Sequence, residues 1–341
     1  MSKLKIWGLS DEDSAVFLYR VNQPLRGIAQ QNLAKVHTLP IFGQHVNHLT
    51  GYEFKEYYEK ESQWADVLMT TCPKQREYLS LILGCKEYGK LKLIVDVDDD
   101  VLAVHTEPNN PAYKAFMDKD ARYAEYAQVA MREADLLVCS TEYLYNKYAS
   151  LNPNRVVVNN CTDEKFFNYE NKPDDVTIGF AGAGGHQGDW KMIESVLKKL
   201  KEKYKFKVKM IGPMQSDVID EQIKWVDMFK YPKTLVDMGF SIGVAPLKDS
   251  LMNRAKSNLK WLEYSTYEIP TVASDVVSYR GIDNILYATE PDEWYSQLEK
   301  LILDKELRTN LGRNAKIEMK TKYDLKEQSK ILFEKISTMR R

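Results

Sequence analysis

Arg254-Ala-Lys-Ser-Asn-Leu-Lys-Trp-Leu-Glu263, continued by Tyr264-Ser-Thr-Tyr-Glu-Ile-Pro-Thr-Val-Ala-Ser274, is the stretch on which the fold of this chain turns. Leu259, Leu262 and Thr266 recur at spacings of three and four, the pattern of a buried helical face. Ser257 is the expected N-cap, because its hydroxyl can accept from an amide two or three residues on. Such a cap leaves other first-turn amides, and the positive end of the helix dipole, free for an anion. Lys256, Lys260 and Glu263 follow one another by four and then three residues and are expected on one side of the helix. A phosphate at the helix mouth with a ribose further along would use both charges, lysine for phosphate and glutamate for paired sugar hydroxyls. An amphipathic helix with solvated charges explains the same residues until the next segment is added. Residues 270–274 form a short apolar strand closed by small residues. Helix, proline turn and buried strand is the punctuation of a doubly wound sheet, whose ligands lie outside the carboxyl ends of the strands.

The run 237–274 (DMGFSIGVAPLKDSLMNRAKSNLKWLEYSTYEIPTVAS) resembles the donor-binding segment of GT-B glycosyltransferases of the family-4-like group. The resemblance implies an α/β fold: two Rossmann-like doubly wound domains facing each other across a cleft. Residues 1–168 would form the acceptor-side domain and 169–320 the nucleotide-sugar domain, with a helix in 321–341 packing back towards the first. It also implies a transferase that moves a sugar from a UDP- or GDP-sugar to an acceptor hydroxyl. Anomeric configuration would be retained, with no tightly bound cofactor or metal. On this resemblance Glu263 holds the donor ribose, while Arg254, Lys256, Ser257, Asn258 and Lys260 hold the diphosphate. One position departs from the pattern. Many members carry a second glutamate eight residues before the ribose-binding one, and here that residue is Ala255, so the sugar contact is not carried over.

The chain has 341 residues, 44% hydrophobic and 28% charged, enough apolar surface for two ordinary cores. A formal charge of -1 does not announce a nucleic-acid partner, though it leaves a local basic groove open. The four cysteines, Cys72, Cys85, Cys139 and Cys161, are scattered without CxxC spacing and read as reduced core thiols of a cytoplasmic protein. No apolar run approaches a bilayer-spanning length, and the first fifteen residues lack a signal-peptide core.

Along the chain, strands are expected at 3–7, 36–41, 67–71 and 91–96. The loop after the first strand would face the cleft, with Tyr19, Arg20 and Asn22 near acceptor or donor phosphate. The acid cluster Asp96-Val-Asp-Asp-Asp100 could hold a divalent ion through oxygen ligands. The resemblance favours instead a cleft-facing loop, matched further on by Asn110-Pro111. Asp99 and Asp100 are then candidates for orienting an acceptor, and His105 for contacting the reacting hydroxyl. A helix at 121–134, strands at 135–140 and 155–160, and a polar linker at 168–175 close the first half. The second half opens with a strand at 176–181 running into Gly182-Ala-Gly-Gly-His-Gln-Gly-Asp189, whose glycines permit close approach and positive φ. The resemblance implies that Gly182, Gly184 and His186 lie against the sugar diphosphate, and Asp189 is expected as a helix cap. A nicotinamide dinucleotide fits poorly, since the third glycine of G-x-G-x-x-G falls on Gln187 and the strand at 207–212 ends without an acid. The nucleobase is expected against 225–231, strands at 240–245 and 284–288, a helix from Pro291, and a helical tail over 307–341. The acceptor is left open between a glycan, a small molecule and a modified DNA base. A nucleotide-sugar-binding protein without transferase activity is the alternative of a different class.

Overall fold

The computed structural model describes residues 3–10, 14–40, 51–107, 114 and 122–339, and in it two parallel sheets follow one another along the chain. The first contains β1 (Lys5–Ser10), β2 (Lys35–Pro40), β3 (Val67–Thr71), β4 (Lys92–Val97), β5 (Leu136–Cys139) and β6 (Arg155–Val157), in the order β2-β1-β3-β4-β5-β6. The second contains β7 (Thr177–Ala181), β8 (Lys207–Ile211), β9 (Glu221–Ile223), β10 (Ile242–Ala245), β11 (Thr271–Ser274) and β12 (Leu286–Ala288), in the order β12-β11-β10-β7-β8-β9. Parallel strands need crossover helices on both faces, so every residue of β3, β5, β7, β10 and β11 is buried. The same constraint explains a misread strand. β1 is buried from Ile6 to Ser10 and runs to Ser10, three residues past the strand expected at 3–7.

Each sheet reverses direction once. The chain moves from β1 to β2 and returns to the other side of β1 at β3; it moves from β7 through β8 to β9 and returns beside β7 at β10. Loops leaving the two strands at such a reversal diverge and open a crevice. In the second sheet those are the loops after Ala181 and after Ala245. Gly212 closes one side of that crevice: its φ is +140°, and a Cβ there would lie 2.0 Å from the carbonyl oxygen of Gly182.

Several local expectations change. The strand anticipated over 155–160 stops at Val157, because Asn159 and Asn160 turn to meet other elements: the Asn159 amide donates to the Gln328 side chain. Helices Gly51–Trp64 and Arg76–Gly89, the short strand β9 and a π-helix at Phe17–Asn22 are additions to the expected elements, although Tyr78, Leu79, Ile82 and Cys85 carry a helical spacing. Asn110 and Pro111 lie outside the described residues. The helical tail is two helices, Lys305–Lys322 and Leu325–Thr338, divided where Asp324 caps the second by accepting from the amides of Lys326 and Glu327.

That last helix lies on the first domain. Leu332 and Ile336 are buried in one cluster with Leu4, Ile6, Leu25 and Ile28. Gly27 allows the approach: a Cβ there would fall 2.0 Å from the Ser329 hydroxyl oxygen. Leu332→Ala should therefore destabilise the first domain by about 2–5 kcal/mol, the usual cost of a buried leucine truncation. Equilibrium urea unfolding of the variant against the parent measures this, and a change below about 1 kcal/mol would mean the helix does not brace that domain.

Candidate functional site

The helix Leu259–Thr266 begins later than expected. Its N-cap is Asn258, which makes no side-chain cap, and Ser257 instead accepts a hydrogen bond from Asn160 Nδ2 at 2.6 Å. Lys256 precedes the helix in extended conformation, so it does not share a helical face with Lys260 and Glu263. Those two keep the i, i+3 relation and lie beside the loops that leave β7 and β10.

The first of these loops is a 3-10 turn, Gly184–His186, leading into the helix Gln187–Lys203. None of its glycines has positive φ. Gly182 is required by packing, since a Cβ would meet the Phe180 ring at 2.8 Å and His186 at 3.1 Å. Asp189 is not the helix cap: it lies in the first turn and ties the two loops together. It accepts from His186 Nδ1 at 2.8 Å, from the Lys248 amide at 3.0 Å and from Asn253 Nδ2 at 3.3 Å. Burial, aided by the Lys260 charge, lowers the His186 pKa to about 4, so the ring is neutral near pH 7. With Nδ1–H donating to Asp189, the Nε2 lone pair faces Lys260 Nζ at 3.0 Å and accepts from it. Burial, with Lys256 nearby, lowers Lys260 to about 8, although Glu263 works the other way. Asp189, neutral His186 and Lys260 thus form a line that presents a desolvated ammonium to the crevice.

Glu263 is 5% exposed, and each of its oxygens accepts from one tyrosine: Oε1 from Tyr19 at 2.6 Å, Oε2 from Tyr231 at 2.8 Å. Burial raises its pKa and the two hydroxyls pull it back. Tyr231 was anticipated only as part of the nucleobase region, and no local pattern links it to Glu263, 32 residues away. In that same region Trp225 and Phe229 are exposed, at 79% and 55%.

The first domain meets this site through the segment 250–257. Met252 is buried with Ala103, Val104 and Tyr123, and Ala255 is buried in the main cluster of the first domain. Lys256 Nζ pairs with Asp99 at 3.1 Å, and Thr141 Oγ1 donates to the Ala255 carbonyl at 3.2 Å. The Ser250 hydroxyl donates to Glu107. Arg254 is turned outward and makes a two-pronged pair with Asp249, at 2.7 and 3.0 Å.

Two candidates from the first domain are placed differently from expectation. Arg20 is buried, not at the cleft surface: Nε and Nη2 bind both Asp96 oxygens at 2.9 Å, and Nη1 donates to Val158 O and Asn160 Oδ1 at 2.8 Å. Burial opposes its charge and Asp96 more than offsets that, so its pKa is raised. Asp100 is turned into the core, accepting from Tyr148 at 2.9 Å and pairing with Lys147 at 2.7 Å. Asp99 alone of the candidate carboxylates reaches the segment before the helix Leu259–Thr266, through Lys256. His105 is exposed on the short turn Val104–Thr106. Asp96, Asp99 and Asp100 are each taken by a different cation, and among the described residues no group of three His, Cys, Asp or Glu could hold a metal ion. All four cysteines are buried thiols, and no described helix is long and apolar enough to cross a membrane.

A histidine whose folded pKa lies near 4 binds fewer protons than in the unfolded chain, where it titrates near 6.5. Its contribution to stability is therefore present above 6.5 and lost as the pH falls towards 4. His186→Gln should flatten the melting temperature against pH across that window; an unchanged slope would mean that His186 titrates normally.

No protein-family model matches the sequence, and no curated protein matches it in sequence. Solved structures do match in fold. An α-glucosyltransferase in complex with UDP and a 13-mer DNA containing a HMU base superposes with a TM-score of 0.70 at 12% identity, over 98% of this chain and 100% of that one. HepE from Anabaena, in complex with UDP and glucose, gives 0.66 at 11% identity over 98% and 100%. A glycosyltransferase from Rickettsia africae gives 0.65 at 10% identity over 100% of both chains. With its two six-stranded parallel sheets matched from end to end, the chain has the GT-B fold of these glycosyltransferases.

Proposed function

We propose that this protein is a glycosyltransferase that moves a sugar from a nucleotide-diphosphate sugar to an acceptor hydroxyl. The observation that carries the reading is the convergence of Lys260, neutral His186 and Glu263 where β7 and β10 diverge. As the bond to the anomeric carbon breaks, negative charge gathers on the departing diphosphate. A preformed ammonium in a dry crevice stabilises that charge without reorganising. Lys260 and Lys256 carry this task, with the amides of Ser257 and Asn258 at the helix mouth, the backbone of Gly182 and Gly184 beside it, and Arg254 swinging from Asp249 as an outer cation. Glu263 takes the ribose hydroxyls, while the exposed Trp225 and Phe229 provide aromatic faces for the base. UDP is the proposed nucleotide, supported by the bound UDP of the structures with the same fold.

Asp99 reaches the donor-side lysine from the first domain and is the proposed acceptor-orienting group, with His105 exposed further along the same loop. Attack from the leaving-group face retains configuration and needs no strong base, which suits a site whose one histidine beside the lysine is held neutral. A modified DNA base is a second acceptor class, favoured by the likeness to the DNA-bound α-glucosyltransferase. Its expected signature is duplex binding that weakens steeply with salt.

Calorimetry with UDP, GDP and ADP tests the reading. One diphosphate should bind to the parent and bind at least tenfold more weakly to Glu263→Ala, and hydrolysis of the matching nucleotide sugar should follow; no binding to any of them ends the proposal. Because Lys260 titrates near 8, the bound diphosphate must hold its proton above that pH. Affinity should therefore fall roughly tenfold between pH 7 and 9, and Lys260→Met should bind weakly with little pH dependence.

A further inference from the structure

Each oxygen of the ribose carboxylate proposed above already accepts a hydrogen bond in this structure, and one of the two donors belongs to the other domain. Tyr231 and Glu263 are both carried by the second domain; Tyr19 lies 244 residues from Glu263, on the first. Leu18 and Tyr19 are buried, not merely touching. They share a cluster with Ala181 and Ile211, the last residues of β7 and β8, and with Tyr231 and Tyr264. Tyr19 also stacks on Phe167, with ring centroids 6.2 Å apart. A side chain of the first domain therefore fills the carboxyl ends of the strands, where a doubly wound sheet takes its ligand.

We propose that the Tyr19 hydroxyl stands in for a ribose hydroxyl on Glu263, so that a nucleotide must displace it to bind; this rests on the donor reading given above. A buried carboxylate stripped of partners is costly, and a tyrosine hydroxyl is a donor of the same type as a sugar hydroxyl. With Tyr19 in place both oxygens of Glu263 stay hydrogen-bonded in the empty site. Tyr231, on the same domain, stays with the carboxylate and orients it for the incoming sugar.

The way Tyr19 leaves is also constrained. Its neighbour Arg20 is fastened to Asp96, Val158 and Asn160 of the first domain. Withdrawal of Tyr19 by melting the turn would disturb that buried pair, whereas separation of the two domains at this point would not. The turn is a π-helix of six residues, Phe17–Asn22, a rare geometry found most often at functional sites. The donor-bound protein is accordingly more open along the Tyr19–Glu263 line than the structure described here. Tyr19 acts on the donor through Glu263 and is a positioning residue of the empty state.

The test is a thermodynamic cycle on Tyr19→Phe and Tyr231→Phe, each measured with and without saturating UDP. Removing a bond present only in the empty state should lower the melting temperature of unliganded Tyr19→Phe and leave the UDP-saturated melting temperature at the parental value. The same variant should bind UDP about three- to tenfold more tightly, since the competing state is weakened. Tyr231→Phe should instead bind UDP more weakly. A merely structural Tyr19 would lower both melting temperatures equally and leave affinity unchanged; that result, or weaker UDP binding by Tyr19→Phe, overturns the proposal. Failure of the parent protein to bind UDP, GDP or ADP is a different outcome and removes the donor reading on which the proposal stands.

Discussion

The buried pair of Arg20 and Asp96 is the interaction on which the arrangement of this molecule depends. Asp96 sits within β4, and Arg20 stands on the turn that follows β1, so the pair fastens the first loop of the domain to the centre of its sheet. The guanidinium then reaches Val158 and Asn160 on the segment leaving β6, and Asn160 passes the chain of bonds to Ser257 at the mouth of the helix Leu259–Thr266. Two buried charges are tolerated because the fork geometry is met on both sides and the remaining donor is satisfied. Removing either partner would leave an uncompensated charge, a loss typically of about 3–5 kcal/mol. One cation thus sets the first loop, the interdomain exit and the neighbouring Tyr19 together.

The second domain uses a carboxylate in the same manner. Asp189 ties the loop after β7 to the loop after β10 and, through His186, fixes where Lys260 stands. The ammonium faces a neutral ring rather than an acid, so its charge is uncompensated by its nearest partner and remains available to an anion. The nearby carboxylate, Glu263, is occupied by tyrosines instead. A site built this way gathers positive potential at the helix mouth, and desolvation both depresses the lysine pKa and strengthens its pull on an anion. The first domain adds Asp99 on Lys256, so of the two lysines one faces His186 and the other pairs with the first domain.

Much of the framework was legible because parallel strands announce themselves. Residues 67–71 were read to the residue, and the strands at 92–97, 177–181, 207–211 and 271–274 to within one or two positions, since burial on both faces leaves short apolar runs bounded by glycine, proline or polar residues. The helix carrying Lys260 and Glu263 was legible for a similar reason: its apolar spacing survives whatever surrounds it. The cap on that helix was not, because Ser257 had a better use as the acceptor for Asn160, a residue 97 positions away. Arg20 and Asp100 were misplaced for the same cause. A charged residue on the connection after a strand looks exposed in sequence, and only a partner brought from elsewhere, Asp96 for one and Lys147 with Tyr148 for the other, allows its burial.

By itself the sequence marked the punctuation of a doubly wound sheet and the helix with a lysine and a glutamate three residues apart, both through local rules of strand and helix period. That two such domains follow one another was implied by the resemblance of residues 237–274 to GT-B glycosyltransferases. The tertiary structure alone decided which charges are spent and which remain. It gave Asp100 to Lys147, Arg254 to Asp249 and Arg20 to Asp96, left Lys260 facing a neutral histidine, and brought Tyr19 and Tyr231 onto the two oxygens of Glu263. Pairing of that kind depends on distance in space and on desolvation, and neither quantity is written in the spacing of residues along a chain.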